Sequence, residues 1–516
     1  MKAWITNHKV QFWTLVVLTV LYMGYGYSKT IHMMTKSNPY MHTVTIITLV
    51  LGTILVIVVG YLALVKKCKI EQIYPVIGLT LGIIYILVIP TFAAPDEGYH
   101  FSAAYNLSNK IMGVEETGIP KKVYMRECDT EYRETTFRAD LYNKYGKTFE
   151  GNADTELVIS GDMARGDHSV GGYLLPALGI SFGRLLGLNF PMMAMLGTFF
   201  GVAWFVLWMT YALKKLPFGK RALLTILLFP LTLQEVSSFS RDSALLACGI
   251  LAVSLALHWK YDKDGIKKSE VLVFAYATFV LATVKSALYA HLILFAFFIL
   301  INRKWFQGKR RYYWMAGLLL IISMTFVIMV PMHGWDIVVN LMTTENNLLG
   351  SGVYGGSPLY YITHPFVLIR MLGNTLKKYG LIYVLEITGN GLGWLEIPNT
   401  VKPRTIYIIL AIVSAIRIKG EEQKIDAQTR IWCNVFGWGG ILLCFVAMLV
   451  FWTPVGHDVI EGVQGRYFLP LLFPIFVGMG HWKQPQLPID MNKYYPIALT
   501  GMGYIMALGV IRFNVM

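Results

Sequence analysis

Apolar residues run nearly unbroken for the length of a membrane-crossing helix over residues 11–27, 42–65, 74–92, 191–213, 243–259, 313–331, 431–452 and 494–511. A helix rises about 1.5 Å per residue, so about 20 apolar residues cross a hydrocarbon core. Shorter apolar stretches at 222–236, 271–284, 286–301, 405–416 and 468–482 add further candidates. Together they predict an all-α polytopic membrane protein of about 13 transmembrane helices, one membrane domain over 1–516. The first run is followed by no small-residue cleavage pattern and reads as a retained first span. No tandem repeat or low-complexity stretch interrupts the pattern.

The polar positions between these runs alternate in character. Lys66, Lys67 and Lys69 follow the second span, and Lys214, Lys215, Lys220 and Arg221 the fourth. Lys260, Lys263, Lys267 and Lys268 follow the sixth. Arg303, Lys304, Lys309, Arg310 and Arg311 follow the eighth, and Arg417, Lys419 and Lys424 the tenth. Basic loops mark the cytoplasmic side, which places the N-terminus there and fixes the other loops outside by parity. The net charge of +15 is therefore spread over short loops, not gathered on one face, and argues against nucleic acid as a partner. With 55% hydrophobic and only 15% charged residues, an ordinary soluble domain is excluded. Of the cysteines, Cys248, Cys433 and Cys444 fall in spans, Cys68 in a short loop and Cys128 in the long one. None has metal-ligand spacing, and no disulfide is expected.

Parity places residues 93–172 outside as a first large loop, rich in acidic side chains and long enough to form a lid or small subdomain. Outer stretches follow at 237–242, 332–402 and 453–466. Within the second large loop, 332–402, the segment 364–385 mixes apolar residues with Arg370, Lys377 and Lys378, which suits an amphipathic interfacial helix. Residues 174–188 read as another, with Arg184 on the polar side.

Four polar motifs fall at this outer boundary. Asp96, Glu97 and His100, in Ala94-Pro95-Asp96-Glu97-Gly98-Tyr99-His100, begin where the third span ends. Partial desolvation there would raise a carboxyl pKa and suit it to proton transfer, and the same residues would equally cap a helix. Arg241 and Asp242, in Ser237-Ser238-Phe239-Ser240-Arg241-Asp242, sit between two spans with almost no loop, where Ser240 or Asp242 would also serve as a cap. Lys285 interrupts the apolar run 271–301, which suits two short spans meeting at a turn. An ionisable group at that depth faces a polar cavity or snorkels to the headgroups. Gln464, Arg466 and Tyr467 close Glu461-Gly462-Val463-Gln464-Gly465-Arg466-Tyr467, where the guanidinium suits phosphate and would equally serve as an interfacial anchor. Their shared sidedness is the stronger signal, because carboxylates and cations gathered at one membrane boundary suit an anionic lipid headgroup.

These motifs resemble those of the bacterial membrane proteins of the domain-of-unknown-function 2142 family. The resemblance rests on Pro95-Asp96-Glu97 with His100, on Tyr173-Leu174-Leu175-Pro176, and on Gly183-Arg184-Leu185-Leu186-Gly187-Leu188. It continues through Ser238-Phe239-Ser240-Arg241-Asp242-Ser243, Lys285, His364-Pro365 and Gly389-Asn390-Gly391-Leu392-Gly393-Trp394 with Pro398. Its most specific motif is Glu461-Gly462-Val463-Gln464-Gly465-Arg466-Tyr467-Phe468-Leu469-Pro470. Arg241 stands where the family has proline, Lys285 has lost its following prolines, and no arginine stands near Gly197-Thr198.

The family is similar in architecture to C-type glycosyltransferases, which implies a polyprenyl-phosphate-linked sugar as donor and a glycan or teichoic-acid-like acceptor in the lipid bilayer's outer face. On that expectation Asp96 is the base, with Glu97 second and His100 orienting it or sharing the proton. Arg466 and Lys285 stabilise the departing phosphate, helped by Gln464, Tyr467, Arg241 and Arg184, while Asp242 positions the acceptor or a cation. The motifs specify no cofactor, and paired carboxylates would suit a divalent cation. The competing expectations are a lipid-linked glycan transporter or flippase, a glycan polymerase, and a non-catalytic assembly partner. Transporters place charges near the bilayer midplane on inverted repeats, and neither feature is legible in this chain.

Overall fold

The structure is a computed structural model describing residues 8–31, 39–119, 122–133, 139–146, 155–162, 170–262, 266–285, 288–300, 348–349, 352–353, 358–398, 401–415, 425–454, 456–480 and 492–515. Its order is α1 (His8–Ile31), α2 (Pro39–Gly60), which closes in a π-helical turn Tyr61–Val65, and α3 (Ile70–Val88). Next come α4 (Glu97–Ile111), β1 (Lys122–Arg126), α5 (Glu127–Arg133), α6 (Ala139–Gly146), β2 (Leu157–Asp162) and α7 (Val170–Leu185). The bundle resumes with α8 (Phe190–Lys215), α9 (Lys220–Leu227), α10 (Pro230–Val236), α11 (Asp242–Tyr261), α12 (Lys268–Thr283) and α13 (His291–Leu300). After a two-residue pairing of β3 (Leu348–Leu349) with β4 (Gly352–Val353) come α14 (Pro358–Thr363), α15 (Pro365–Ile387), α16 (Leu392–Leu395) and α17 (Val401–Ala415). The chain ends with α18 (Ala427–Phe451), α19 (Leu469–Gly480) and α20 (Tyr494–Val515).

Among the described residues, seven helices are long and apolar enough to cross a membrane: His8–Thr30, Pro39–Val65, Ile70–Val88, Phe190–Lys215, Asp242–Tyr261, Ala427–Phe451 and Tyr495–Phe513. The expectation of an all-α membrane protein thus stands in its coarser form, a mostly helical membrane protein with two small antiparallel pairings, β1–β2 and β3–β4. Shorter apolar helices occur at His291–Leu300 and Pro403–Ala415 and in Gly465–Gly480. The span expected at 313–331 lies outside the described residues. The apolar stretch expected at 222–236 is broken in two, because Pro230 at the start of α10 cannot donate to the preceding turn.

The spans approach closely where small residues face a partner. A Cβ on Gly82 of α3 would lie 2.4 Å from Val202 Cγ1 of α8. One on Gly179 of α7 would meet only backbone: Gly197 Cα at 2.7 Å, Leu196 O at 2.7 Å and Gly197 N at 3.1 Å. Small residues at such contacts let two helix backbones touch, the commonest packing device within bilayers. Gly179→Ala is therefore expected to push α7 off α8 and cost about 1–3 kcal/mol. A lowered unfolding temperature in detergent checks this, and an unchanged one contradicts the close contact.

Both ends of the bundle carry charge, in different ways. At one end the basic residues are tied to carboxylates across helix ends: Lys215 to Glu270 at 2.5 Å, Lys220 to Glu71 at 2.9 Å and Lys260 to Asp426 at 2.9 Å. Because α3, α9, α12 and α18 begin at this end and α8 and α11 finish there, the turns after α3, α10 and α12 all lie at the opposite one. The described parts of the loop 93–172 pack over that opposite end, where Tyr142 donates to the Val88 carbonyl at 2.8 Å. Its α4 lies along α7, and β1 pairs antiparallel with β2.

The helix expected at 174–188 runs from Val170 to Leu185 and turns Leu174, Leu178 and Phe182 outward. Arg184 is not on an outward polar side. Its Nη1 donates to Ser108 Oγ at 3.1 Å and Asn109 Oδ1 at 2.8 Å, and its guanidinium covers the Tyr105 ring at 4.6 Å. The helix expected at 364–385 is present as α15.

Candidate functional site

The turn after α3 is shaped by Glu97. Its Oε2 accepts the N–H of Phe92 at 2.8 Å and of Ala94 at 3.1 Å, and its Oε1 accepts the N–H of Phe239 at 2.9 Å. One buried carboxylate thus closes its own turn and ties it to the Ser237–Asp242 connection. Burial pushes the carboxyl up to about 7, against the three N–H donors that favour the charged form. A carboxamide offers one acceptor oxygen where two are used. Glu97→Gln is therefore expected to leave an N–H facing an NH2 and cost about 1–3 kcal/mol, read as a lowered unfolding temperature.

Asp96 precedes this helix in the N-cap position, yet its φ is +62° and its side chain makes no capping bond. The carboxylate turns instead to Arg466, whose Nη2 donates to Asp96 Oδ2 at 2.7 Å. The helix-cap reading of Asp96 thus fails on geometry. Left-handed backbone costs a residue with a Cβ about 1–2 kcal/mol. Phe92 (φ +78°), Asp96 and Lys285 (φ +52°) all adopt it within this one region. Strain held at one place by surrounding contacts is a mark of functional sites.

Arg466 sits in a 3-10 turn, Gly465–Phe468, that leads into α19. Its side chain is 7% exposed, which rules out an anchor in the headgroups, whereas Asp96 is 52% exposed. Arg466 Nε lies 3.8 Å from Asp242 Oδ2 and has no hydrogen-bond partner among the described residues. Burial pulls the guanidinium pKa down, but Glu235, Tyr467, Asp242 and Asp96 around it hold it well above its ordinary value.

Asp242 opens α11 and is gripped by Lys285, whose Nζ donates to Oδ1 at 2.7 Å and Oδ2 at 2.8 Å. The same ammonium lies 4.1 Å from the centre of the Tyr467 ring. Lys285 therefore neither snorkels nor stands alone. It stands in the turn between α12 and α13, as the sequence pattern predicts.

Asp96, Arg466, Asp242 and Lys285 form one chain of ion pairs drawn from four segments. Tyr467 lies beneath its two cations, with Arg466 Cζ 5.5 Å from the ring centre. Arg241 is half-buried next to Asp242, and Gln464 is half-buried at the start of the Arg466 turn. His100 lies on α4 with its Nδ1 2.6 Å from the Tyr173 hydroxyl. Arg184 does not join the cluster, since its partner Asn109 is thirteen residues beyond Asp96, roughly 20 Å along a helix.

Several members are missing from the motifs read in the sequence. Glu235, buried at the end of α10, accepts from Ser240 Oγ at 2.7 Å and faces the Arg466 charge. An acidic residue inside the apolar stretch 222–236 was the available signal. Ser240 also accepts from the Asp242 N–H at 3.2 Å, a local turn bond, while the N-cap position falls to Arg241 with no side-chain capping bond, so neither Ser240 nor Asp242 caps α11. Gln234 clamps the glycine-rich turn, accepting the Gly393 N–H at 2.6 Å. Glu386 of α15 accepts the Gly465 N–H at 2.6 Å, and burial raises its carboxyl pKa against that donor.

A divalent cation does not fit these donors. Asp96 and Asp242 are each matched with a cationic side chain. Among the described residues, no group of three or more His, Cys, Asp or Glu converges as ligands.

Comparison with known proteins gives one result. The model of a family described as "Predicted membrane protein (DUF2142)" matches residues 79–475, a stretch that includes every member of the cluster. No curated protein and no solved structure matches.

Proposed function

The chain belongs to the DUF2142 family of predicted membrane proteins, and from that premise we propose that it is a membrane glycosyltransferase of the C type. It would move a sugar from a polyprenyl-phosphate donor to a cell-surface glycan or lipid-linked acceptor. The supporting observation is the cluster itself, an open carboxylate held beside a buried guanidinium and a half-buried ammonium. The basic end of the bundle is read as cytoplasmic, which puts the cluster at the outer face. The sequence pattern, read as about 13 passes with 222–236 and 313–331 each counted as one, gives the same orientation.

In this reading the donor phosphate takes Arg466 from Asp96. Arg466 then offers its unpartnered Nε, and Lys285 its remaining N–H, to the phosphate oxygens. Asp96, freed and exposed to the acceptor, accepts the hydroxyl proton as the acceptor oxygen bonds to the anomeric carbon. The bond from that carbon to the phosphate oxygen breaks, and its electron pair leaves with the polyprenyl phosphate. The developing charge on the leaving oxygen is met by cations already in place, which need no reorganisation. Glu97, with both oxygens occupied, acts as a brace for the turn, and His100 with Tyr173 supports the helix that follows.

The test is to incubate purified protein with radiolabelled polyprenyl-phosphosugar and a glycan acceptor. Label appearing in the acceptor supports the proposal. Donor moved across a proteoliposome bilayer with its sugar still attached would instead indicate a transporter.

A further inference from the structure

We propose that α15 is an anionic-lipid sensor: one face binds phospholipid headgroups while the opposite face holds the loop that ends in Arg466. This inference rests on the reading of Arg466 as part of the transfer site.

The helix is joined to the loop at three points, two of which, Thr375 and Glu386, lie on the inward face. Asn374 Nδ2 donates to the Asp458 carbonyl at 3.1 Å, and Thr375 Oγ1 accepts the Ile460 N–H at 2.8 Å. Glu386 accepts the Gly465 N–H at 2.6 Å, one residue before Arg466. These contacts follow the loop from start to end, so displacement of α15 displaces the backbone that aims the guanidinium.

The outward face has a different composition. Phe366, Arg370, Lys377 and Leu381 are spaced to lie along one stripe of the helix. Phe366 is 83% and Leu381 71% exposed, so the stripe has an open apolar side chain at each end. Arg370 and Lys377 are also exposed and sit between them, one above the other two turns apart. Glu386, the one acidic residue of α15, is turned inward to Gly465, so no carboxylate of α15 neutralises the stripe. Lys378 differs, lying over the Tyr379 ring at 4.9 Å within the fields of Asp458 and Glu461. An apolar stripe with two cations at its middle, neither paired with a carboxylate among the described residues, matches a bilayer surface with anionic headgroups. A zwitterionic surface satisfies only the apolar part.

The experiment is hydrogen exchange on the full chain in nanodiscs of phosphatidylcholine alone, or of phosphatidylcholine mixed equally with phosphatidylglycerol. With phosphatidylglycerol, amides of 365–387 and 458–466 are expected to exchange roughly fivefold slower or more, the effect of one or two basic residues at an anionic surface. R370Q/K377Q is expected to abolish that difference. Thr375→Val is expected to keep it in 365–387 and lose it in 458–466. Equal exchange in the two lipids, or a lipid response unchanged by R370Q/K377Q, would overturn the proposal. Exchange is read without donor or acceptor, so lipid sensing and sugar transfer stand or fall separately.

Discussion

Asp96→Asn is expected to lower sugar transfer by roughly 10²–10⁴-fold, the usual contribution of a positioned general base. The amide keeps the size of the carboxylate and still accepts from Arg466 through its carbonyl oxygen, so the site keeps its shape. It cannot take a proton from an acceptor hydroxyl. Because the Asp96 side chain is 52% exposed, losing its charge costs no more than an exposed ion pair, about 0–1 kcal/mol. Transfer and unfolding temperature, measured on the same preparation, should therefore part company: transfer lost, fold retained. Normal transfer by this variant removes Asp96 from the chemistry. Equal loss in Glu97→Gln would carry less weight, because that change also breaks the brace across Phe92, Ala94 and Phe239.

Arg466→Met should have the largest effect on stability. The guanidinium is buried among Asp96, Asp242 and Glu235, and an apolar side chain in its place leaves those carboxylates with Lys285 and Arg241 alone to balance them. Removing one partner of a buried charge pair typically costs about 3–5 kcal/mol, because the remaining charge has lost its compensation. Thermal unfolding in detergent should show a large drop, partly recovered in Arg466→Met combined with Glu235→Gln. Arg466→Lys keeps a positive charge but loses the planar fork, and is expected to fold better than Arg466→Met while transferring poorly. An unchanged unfolding temperature in Arg466→Met contradicts the electrostatic picture of the cluster.

Hydropathy and charge carried most of the architecture because a bilayer leaves few solutions: backbone groups must bond within each helix, and length is set by membrane thickness. The turn at Lys285 was legible from a single cation inside a long apolar run. The sidedness of Asp96, Asp242, Lys285 and Arg466 followed from loop parity, although 370 positions separate Asp96 from Arg466 along the chain. What the sequence did not carry was pairing. Arg184 read as a phosphate contact, yet α7 rolls it onto Ser108 and Asn109. Glu97 read as a second base, yet its oxygens are taken by backbone donors from two loops, a matter of backbone conformation that residue type does not specify. Glu235 lies inside the apolar stretch 222–236, and Glu386 stands one residue past the expected interfacial segment 364–385, so no polar motif includes either.

The basic loops carried a second meaning as well. They were legible as orientation signals, but Lys215, Lys220 and Lys260 also join neighbouring helices through Glu270, Glu71 and Asp426. The partly exposed pairs of Lys220 and Lys260 are individually weak, about 0–1 kcal/mol each, whereas Glu270 is buried beneath Lys215. Their effect is to set which helix ends meet, and so to hold the opposite ends where the cluster assembles.

The central claim is that one anionic headgroup is gripped by Arg466 and Lys285 beside Asp96. The most direct measurement is a cryo-electron-microscopy structure of the full chain in nanodiscs with polyprenyl phosphate bound. The phosphate is expected at hydrogen-bond distance, about 3 Å, from Arg466 and Lys285, with Asp96 released from the guanidinium. Phosphate density elsewhere, with the Asp96–Arg466 and Asp242–Lys285 pairs intact, would contradict it.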